Sequence, residues 1–414
     1  MKSKKLQIDA IVFIILISVL GAVLRYLLRD DISGDYTAFL EPWYKIFQQN
    51  GADALSQQVG DYNLPYQTWI LVMTWLPLRP LYAYKLVSCL FDYLLAGLLG
   101  LVAMELRRNP YSSKEDNAAH GIVAYGIVLL FPQVWIDSAH WAQCDAIYTF
   151  WALFALFLYI KERWSASFLV LGIALSFKLQ AIFVLPFFLL AWFVPHRHSF
   201  GKILWMLPGF YLFCIPAIMC GRSWLDPLRI YLNQTTEYSA IRFNFPSFWG
   251  MVFPAGTHDN WNKAAVLCTL LILAAGLWRL LQTQSNKEEV NTEIARTAVK
   301  KSSAWEKTCS YREQRNEQWI RLACWSIWTC VLFLPNMHER YAYLLDILMI
   351  VLAVVFGQLK DIPVIGVCWL CSLVCYGTAR LELPYSTDMF RLTCWLYTAA
   401  YCIFSRMLFS RTAA

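Results

Sequence analysis

Between Ile11 and Leu408 the chain returns repeatedly to near-continuous apolar runs of about bilayer-crossing length, each bounded by charged or turn-forming residues. In lipid, such a run can satisfy its backbone N–H and C=O groups only as a helix, because no water is present to do so. The expected fold class is therefore all-α, a polytopic membrane protein. Composition agrees: 58% of the 414 residues are hydrophobic and 15% are charged, against roughly a quarter charged in soluble domains. The runs extend along the whole sequence, so residues 1–414 read as a single integral membrane domain. The run 11–28 follows the basic start MKSKK, lacks a small-residue cleavage site and leads straight into RDDISGDY, so it reads as a first span and not as a signal peptide.

Keeping basic loop residues on the inner side sets the topology. The basic groups are Arg107/Arg108, Lys161/Arg163, Arg197/Lys202, Lys360 and Arg406/Arg411. They fall on one side if LPYQTWILVMTWLPL, within 64–80, lies in the interface and does not span; it is short, Trp-rich and bounded by prolines. Spans are then expected at 8–29, 81–106, 118–134, 145–160, 165–178, 179–194, 201–221, 262–281, 319–334, 341–357, 363–380 and 389–408, about 12 transmembrane helices with both ends inside. The first outer loop would carry short interfacial helices, and the polar run 282–318 would be an inner-face loop.

Thirteen cysteines could signal metal or redox chemistry. Nearly all lie in apolar runs, and the C-x-x-C at Cys368 and Cys371, with Cys375 after it, has no partner cluster of His or Cys nearby, so they read as packing residues. The net charge of +7 sits at segment ends and argues against a nucleic-acid partner. No D-x-D pair occurs in the outer loops, and neither metal nor cofactor is expected.

On this topology the polar clusters gather on the outer side: SGDY (Asp35), GDYNLPYQ (Asp61), WIDSAHWAQCDAIY (Asp137, His140, Gln143, Asp145), SFKLQ (Lys178, Gln180) and PNMHERYAY (His338, Glu339, Arg340). Ionisable residues at membrane depth are costly and mark substrate, ion or partner sites. Each has an ordinary alternative: a solvated loop acid for Asp35, interface anchors for His140 and Trp141, a snorkelling Lys178, a charge-paired turn at 338–340. Lys85, Lys178, Arg222, Arg229, Arg242 and Arg340 also fall on the outer side, against positive-inside sorting, and an anionic ligand there would account for several of them.

Taken in order, these motifs resemble the GT-C glycosyltransferases. The likeness is closest to the dolichyl-phosphate-glucose-dependent glucosyltransferases of N-glycan assembly and to bacterial proteins related to GPI mannosyltransferase II. The family pattern G-D-Y-x-A is matched by Gly34, Asp35, Tyr36 and Ala38, and Y-P-P-L-T in part by Tyr62 and Pro65. I-D-x-x-H-F-Q-Y-N is matched by Ile136, Asp137, His140, Trp141, Gln143 and Asp145 with one residue inserted, F-K-Q by Phe177, Lys178 and Gln180, and H-E-K by His338, Glu339 and Arg340. The similarity covers residues 8–350, while 351–414 would be variable C-terminal helices.

The resemblance implies a GT-C-like fold and an inverting transfer of a hexose, glucose or mannose, from a polyprenyl-phosphate-linked donor to an acceptor hydroxyl on the outer face. The acceptor would be a glycan, a lipid-linked oligosaccharide or a polymer, and membrane lipids would surround the site. Asp35 would be the catalytic base. Lys178, Gln180, His338, Glu339 and Arg340 would bind the donor phosphate or sugar, and Tyr36, Asp61, Tyr62, Asp137, His140, Gln143 and Asp145 would position substrate. Modest length and short loops favour a bacterial plasma membrane over the endoplasmic reticulum. A transporter or lipid-linked-sugar flippase, and an assembly subunit, are the alternatives from other classes.

Overall fold

A computed structural model describes the backbone of residues 2–107, 113–193, 198–237, 240–254, 261–297 and 304–411. Arg108, Arg197 and residues 298–303 of the polar run lie outside the described residues. The described chain is helical, without a β-strand. In order come α1 (Lys2–Leu27), a π turn (Tyr36–Leu40), α2 (Glu41–Asn50), a 3-10 turn (Gly51–Ser56), α3 (Leu64–Met73), α4 (Pro80–Arg107) and α5 (Lys114–Leu130). Next are α6 (Pro132–Trp135), a second π turn (Ile136–His140), α7 (Asp145–Ile160), α8 (Trp164–Phe177), a 3-10 turn (Leu179–Val184) and α9 (Leu185–Phe193). A 3-10 turn (Phe200–Trp205) precedes α10 (Met206–Leu212), α11 (Ile215–Met219), α12 (Asp226–Glu237) and α13 (Trp249–Val252). The last are α14 (Asn262–Thr297), α15 (Ala304–Phe333), α16 (Tyr343–Phe356), α17 (Ile362–Arg380) and α18 (Thr387–Arg411).

Among the described residues five helices are long and apolar enough to cross a membrane: Ile8–Leu27, Pro80–Arg107, Asn262–Gln282, Ile362–Arg380 and Thr387–Ser410. A sixth span is possible if Glu115–Leu130 and Pro132–His140, bent by 48°, act as one. Four apolar helices are shorter: Asp145–Ile160, Trp164–Phe177, Leu179–Phe193 and Tyr343–Phe356. The chain is an integral membrane protein with a helical fold, and the exposed side chains along α1 include Ile11, Val12, Leu16, Leu20 and Val23, as lipid contact requires.

The helices depart from simple spans where proline or polarity intervenes. The expected straight span at 118–134 is bent at Phe131, whose extended backbone precedes Pro132. The expected span at 201–221 is broken into a 3-10 turn and two short helices, with Pro208 and Pro216 each removing a backbone donor. In α3 the helix has ten residues, about 15 Å at 1.5 Å per residue and half of a bilayer core. The polar run expected as a loop at 282–318 is helical up to Thr297 and again from Ala304. Gln, Glu, Lys, Arg and Ala dominate that run and are strong helix formers; polarity alone was a poor guide to loop.

The chain divides into two compact units: Met1–Met104 with Ala118–Ile182 and Gly201–Tyr238, and Glu105–Asn117 with Phe183–Phe200 and Ser239–Ala414. In the first, α7 packs on α8 and α8 on α10. Ser167 Oγ donates to Ala155 O across the first pair at 2.7 Å. Glycine permits the second: a Cβ on Gly209 would lie 1.9 Å from Leu169 O, and one on Gly172 2.2 Å from Met206 O. In the second unit the Trp328 ring packs against Tyr397, Tyr401 and Phe404. Arg321, buried in α15, pairs with Glu317 at 2.8 Å and with Asp361, which stands just before α17. Cys368, Cys371 and Cys375 are buried along α17.

Gly209→Ala is expected to cost about 1–3 kcal/mol through overpacking, lowering Tm in detergent. Gly97→Ala, where a Cβ meets nothing within 4 Å, is expected to be neutral or to gain up to about 1 kcal/mol in the same measurement.

Candidate functional site

Two π turns shape the polar centre of the first unit. In the loop after α1, Ser33 Oγ accepts the Tyr36 N–H at 3.1 Å and starts the turn that follows Asp35. The same hydroxyl donates to Trp141 O at 3.0 Å. The second turn closes with the Trp141 N–H on Ile136 O at 2.9 Å and the Gln143 N–H on Asp137 O at 2.8 Å. Ala142 between them takes a left-handed φ of 59°, an uncommon conformation for a residue with a Cβ. This backbone aims two side chains back at the first loop. Trp141 Nε1 donates to Asp35 Oδ2 at 2.9 Å, and Gln143 Nε2 donates to the same oxygen at 2.8 Å. The Tyr62 hydroxyl donates to Gln143 Oε1 at 2.8 Å, so Tyr62, Gln143 and Asp35 form one hydrogen-bonded series. Asp35 is half-buried, and Gly34 beside it faces open space, with nothing within 4 Å of a Cβ placed there.

A second network joins Asp137, Asp145 and Lys178. Lys178, at the extended residue that ends α8, pairs with Asp145 at 2.7 Å, and both are buried. Asp137 Oδ2 accepts the Asp145 N–H at 3.2 Å, placing a carboxylate at the start of α7. The Lys178 ammonium lies 5.5 Å from the Tyr62 ring centre and 6.0 Å from that of Tyr148, within cation–π range. Tyr62 also packs on Tyr66 at 4.5 Å and edge-on to Trp43 at 5.7 Å. Trp43 in turn fixes Gly60: its φ is +72°, and a Cβ there would lie 2.2 Å from the indole. Burial pushes the Cys144 thiol up from its ordinary value, so it is no ready thiolate. Burial, with Glu41 adding to it, pushes the Tyr36 phenol up to about 12.

The remaining sequence-derived residues fall outside these networks. His140 Nδ1 lies 2.7 Å from Asp31 Oδ2. Asp61 is exposed, and its carbonyl accepts from Gln234. Gln180 Oε1 is buried without a hydrogen-bond partner among the described residues. In the second unit His338 stacks on Phe243 at 4.5 Å with the rings 10° apart, Glu339 pairs with Arg380, and Arg340 is half-buried in the turn before α16. Three basic residues that sequence placed on the outer side have protein partners. Lys85 donates to Leu28 O and Asp31 O at 2.7 Å each, capping α1. Arg222 pairs with Asp226 at 2.8 Å and donates to Gln57 O and Gln58 Oε1. Arg242 donates to Phe253 O at 2.9 Å and lies over the Phe390 ring.

Sequence reasoning missed what holds the second π turn. Arg25 in α1 pairs with Asp92 in α4 at 2.9 Å, both buried, and Ser138 in the turn donates to Asp92. Arg25 Nη1 also donates to Leu129 O at 3.1 Å, just before the bend at Pro132. The signal was present as two opposite charges inside expected spans. Among the described residues no group of three or more His, Cys, Asp or Glu side chains could hold a metal ion. No protein-family model matches the chain, and no curated protein matches it.

Removing one partner of a buried ion pair costs about 3–5 kcal/mol, because the other charge stays behind. Arg25→Leu and Asp92→Leu are each expected to lose that much stability, and the double variant to recover most of it, as read by Tm in detergent. A second prediction concerns acid. Arg222, with the Ser223 N–H and Arg229, holds the Asp226 carboxyl below its ordinary 3.8. A depressed folded value stabilises above the unfolded value and is lost as pH falls through the folded one. The protection of the 222–237 amides, taken relative to their intrinsic exchange rates, is therefore expected to hold at neutral pH and to fall below about pH 4, a response that Asp226→Asn abolishes.

Proposed function

We propose that the protein is an inverting, GT-C-like hexosyltransferase that uses a polyprenyl-phosphate sugar, with Asp35 as its base. The observation that carries this reading is the Asp35–Gln143–Tyr62 series. It joins three motifs that are far apart in sequence and that the family resemblance names independently, and Lys178 from a fourth motif lies over Tyr62.

The chemistry follows from the donor's bond. An acceptor hydroxyl oxygen attacks the anomeric carbon, the bond from that carbon to the carrier phosphate breaks, and the phosphate leaves with the electron pair. The hydroxyl proton passes to Asp35. A carboxylate in this position takes that proton late, as oxocarbenium character builds. Trp141 and Gln143 fix the carboxylate's orientation by donating to one oxygen, which removes a freedom the transition state would otherwise have to freeze. Gly34 leaves the adjoining space open for the acceptor. Lys178 and Asp145, engaged with each other, brace the Tyr62 wall. The phosphate contacts that the resemblance implies for His338 and Arg340 rest on sequence alone. The expected setting is the outer face of a bacterial plasma membrane, in a bundle of about twelve membrane passes, five of which are long apolar helices in the described chain.

The test is incubation of the purified chain with a panel of polyprenyl-phosphate sugars, reading released carrier lipid by mass spectrometry. Asp35→Asn keeps the shape of the side chain and is expected to lower release by about 100-fold or more while leaving expression and insertion intact. Release from no sugar, with flux of a lipid-linked sugar across vesicles, would favour a transporter or flippase. That alternative draws on the Arg25–Asp92 pair within membrane-spanning helices.

A further inference from the structure

Both faces of α12 are apolar in part, and only one is covered. Pro227, Ile230, Tyr231 and Gln234 face inward. Pro227 O accepts from Asn63 Nδ2 at 3.3 Å, the Tyr231 hydroxyl donates to Leu175 O, and Gln234 Nε2 donates to Asp61 O. With Arg222 on Gln57 and Gln58, these bonds fasten the loop 57–63, which carries Tyr62, to the helix.

The other face presents Leu228 and Leu232, 46% and 66% exposed, and the turn that leads into the helix adds Trp224 and Leu225, 58% and 53% exposed. Single exposed leucines are ordinary, but a contiguous apolar patch marks a contact surface. Arg229, on the same side, pairs with Asp226 at 3.3 Å and is otherwise largely exposed. The patch does not stop at the helix. Trp224 packs on Tyr211 at 5.4 Å, and the Tyr211 hydroxyl donates to Trp224 O at 2.9 Å. Beyond Tyr211, Leu207, Leu212, Ile215 and Met219 on α10 and α11 of the same unit are exposed as well. A twelve-residue helix is too short to span at 1.5 Å per residue. An amphipathic helix with a leucine face, a tryptophan at one end and an arginine at its flank suits the boundary between headgroups and acyl chains.

We infer that α12 is a membrane-interfacial helix: its Leu228 and Leu232 face, with Trp224 and Leu225 of the turn before it, is seated in the bilayer surface, and its opposite face clamps the loop 57–63 at that depth. The occupant is lipid, since the stripe continues into the exposed apolar surface of α10 and α11 in an integral membrane protein. This inference stands apart from the sugar-transfer reading and would survive its failure.

The full chain reconstituted in liposomes tests it through the emission of Trp224, taken as the difference between the unaltered chain and Trp224→Phe. Lipids brominated near the headgroup are expected to quench that component strongly, and aqueous iodide to leave it unchanged. Quenching by iodide without quenching by brominated lipid would place the face in water and overturn the inference. Quenching by neither would place it under protein, a second chain included, and overturn it equally. A second variant guards against misfolding of the first. Leu228→Asp with Leu232→Asp alters only exposed positions, and in liposomes it is expected to speed amide exchange over 57–63 and 226–237 by about tenfold. An unchanged exchange rate would also reject the seating.

Discussion

Arg25 and Asp92 form an ion pair inside two membrane-spanning helices, and the polar centre of the first unit depends on it. Neither charge is tolerable there alone, because an unpaired ion in a low-dielectric interior carries several kcal/mol of desolvation penalty. Pairing fixes α1 against α4, and the donors and acceptors left over reach further. Arg25 takes up the carbonyl of Leu129, one of those that a helix loses when its next turn begins with proline. Asp92 takes the hydroxyl of Ser138. Bend and turn are thereby held from both ends, and the turn is what aims Trp141 and Gln143 at Asp35.

The centre that results is more fully engaged than a list of charged residues suggests. Lys178 neutralises Asp145, Asp137 caps a helix, Lys85 caps another, and Arg222 holds a loop. Each of these charges has a partner within the protein, so an anionic ligand is not needed to explain each of them. Asp35 accepts from the Trp141 and Gln143 N–H groups, is half-buried, and adjoins open space at Gly34.

Apolar periodicity made the helices legible. The expected spans 81–106, 145–160 and 363–380 lie within a residue of Pro80–Arg107, Asp145–Ile160 and Ile362–Arg380, because an apolar run in lipid has only one way to satisfy its backbone. The polar helices beyond Gln282 were not legible, since the same residues that favour helix also favour water. Gly34–Tyr36 and Ile136–Asp145 were expected on one side from the basic-residue topology, and the family resemblance put them in one site. Trp141 beside a polar motif reads as an interface anchor, and nothing local reveals that its N–H faces a carboxylate 106 positions away. The Arg25–Asp92 pair, 67 positions apart, was open to inference from charge alone, as two ions with nowhere else to go.

Those separations also bear on how the molecule is made. At about 5–20 residues per second, Asp35 leaves the ribosome roughly 5–20 s before Gln143, 108 positions later, exists to meet it. Arg25 similarly precedes Asp92 by 67 positions. During that interval the first helix holds a guanidinium whose counter-ion has not been synthesised, so it has to wait where water or the insertion machinery can shelter the charge. The first loop likewise stays without its partners until the residues after the Pro132 bend have followed.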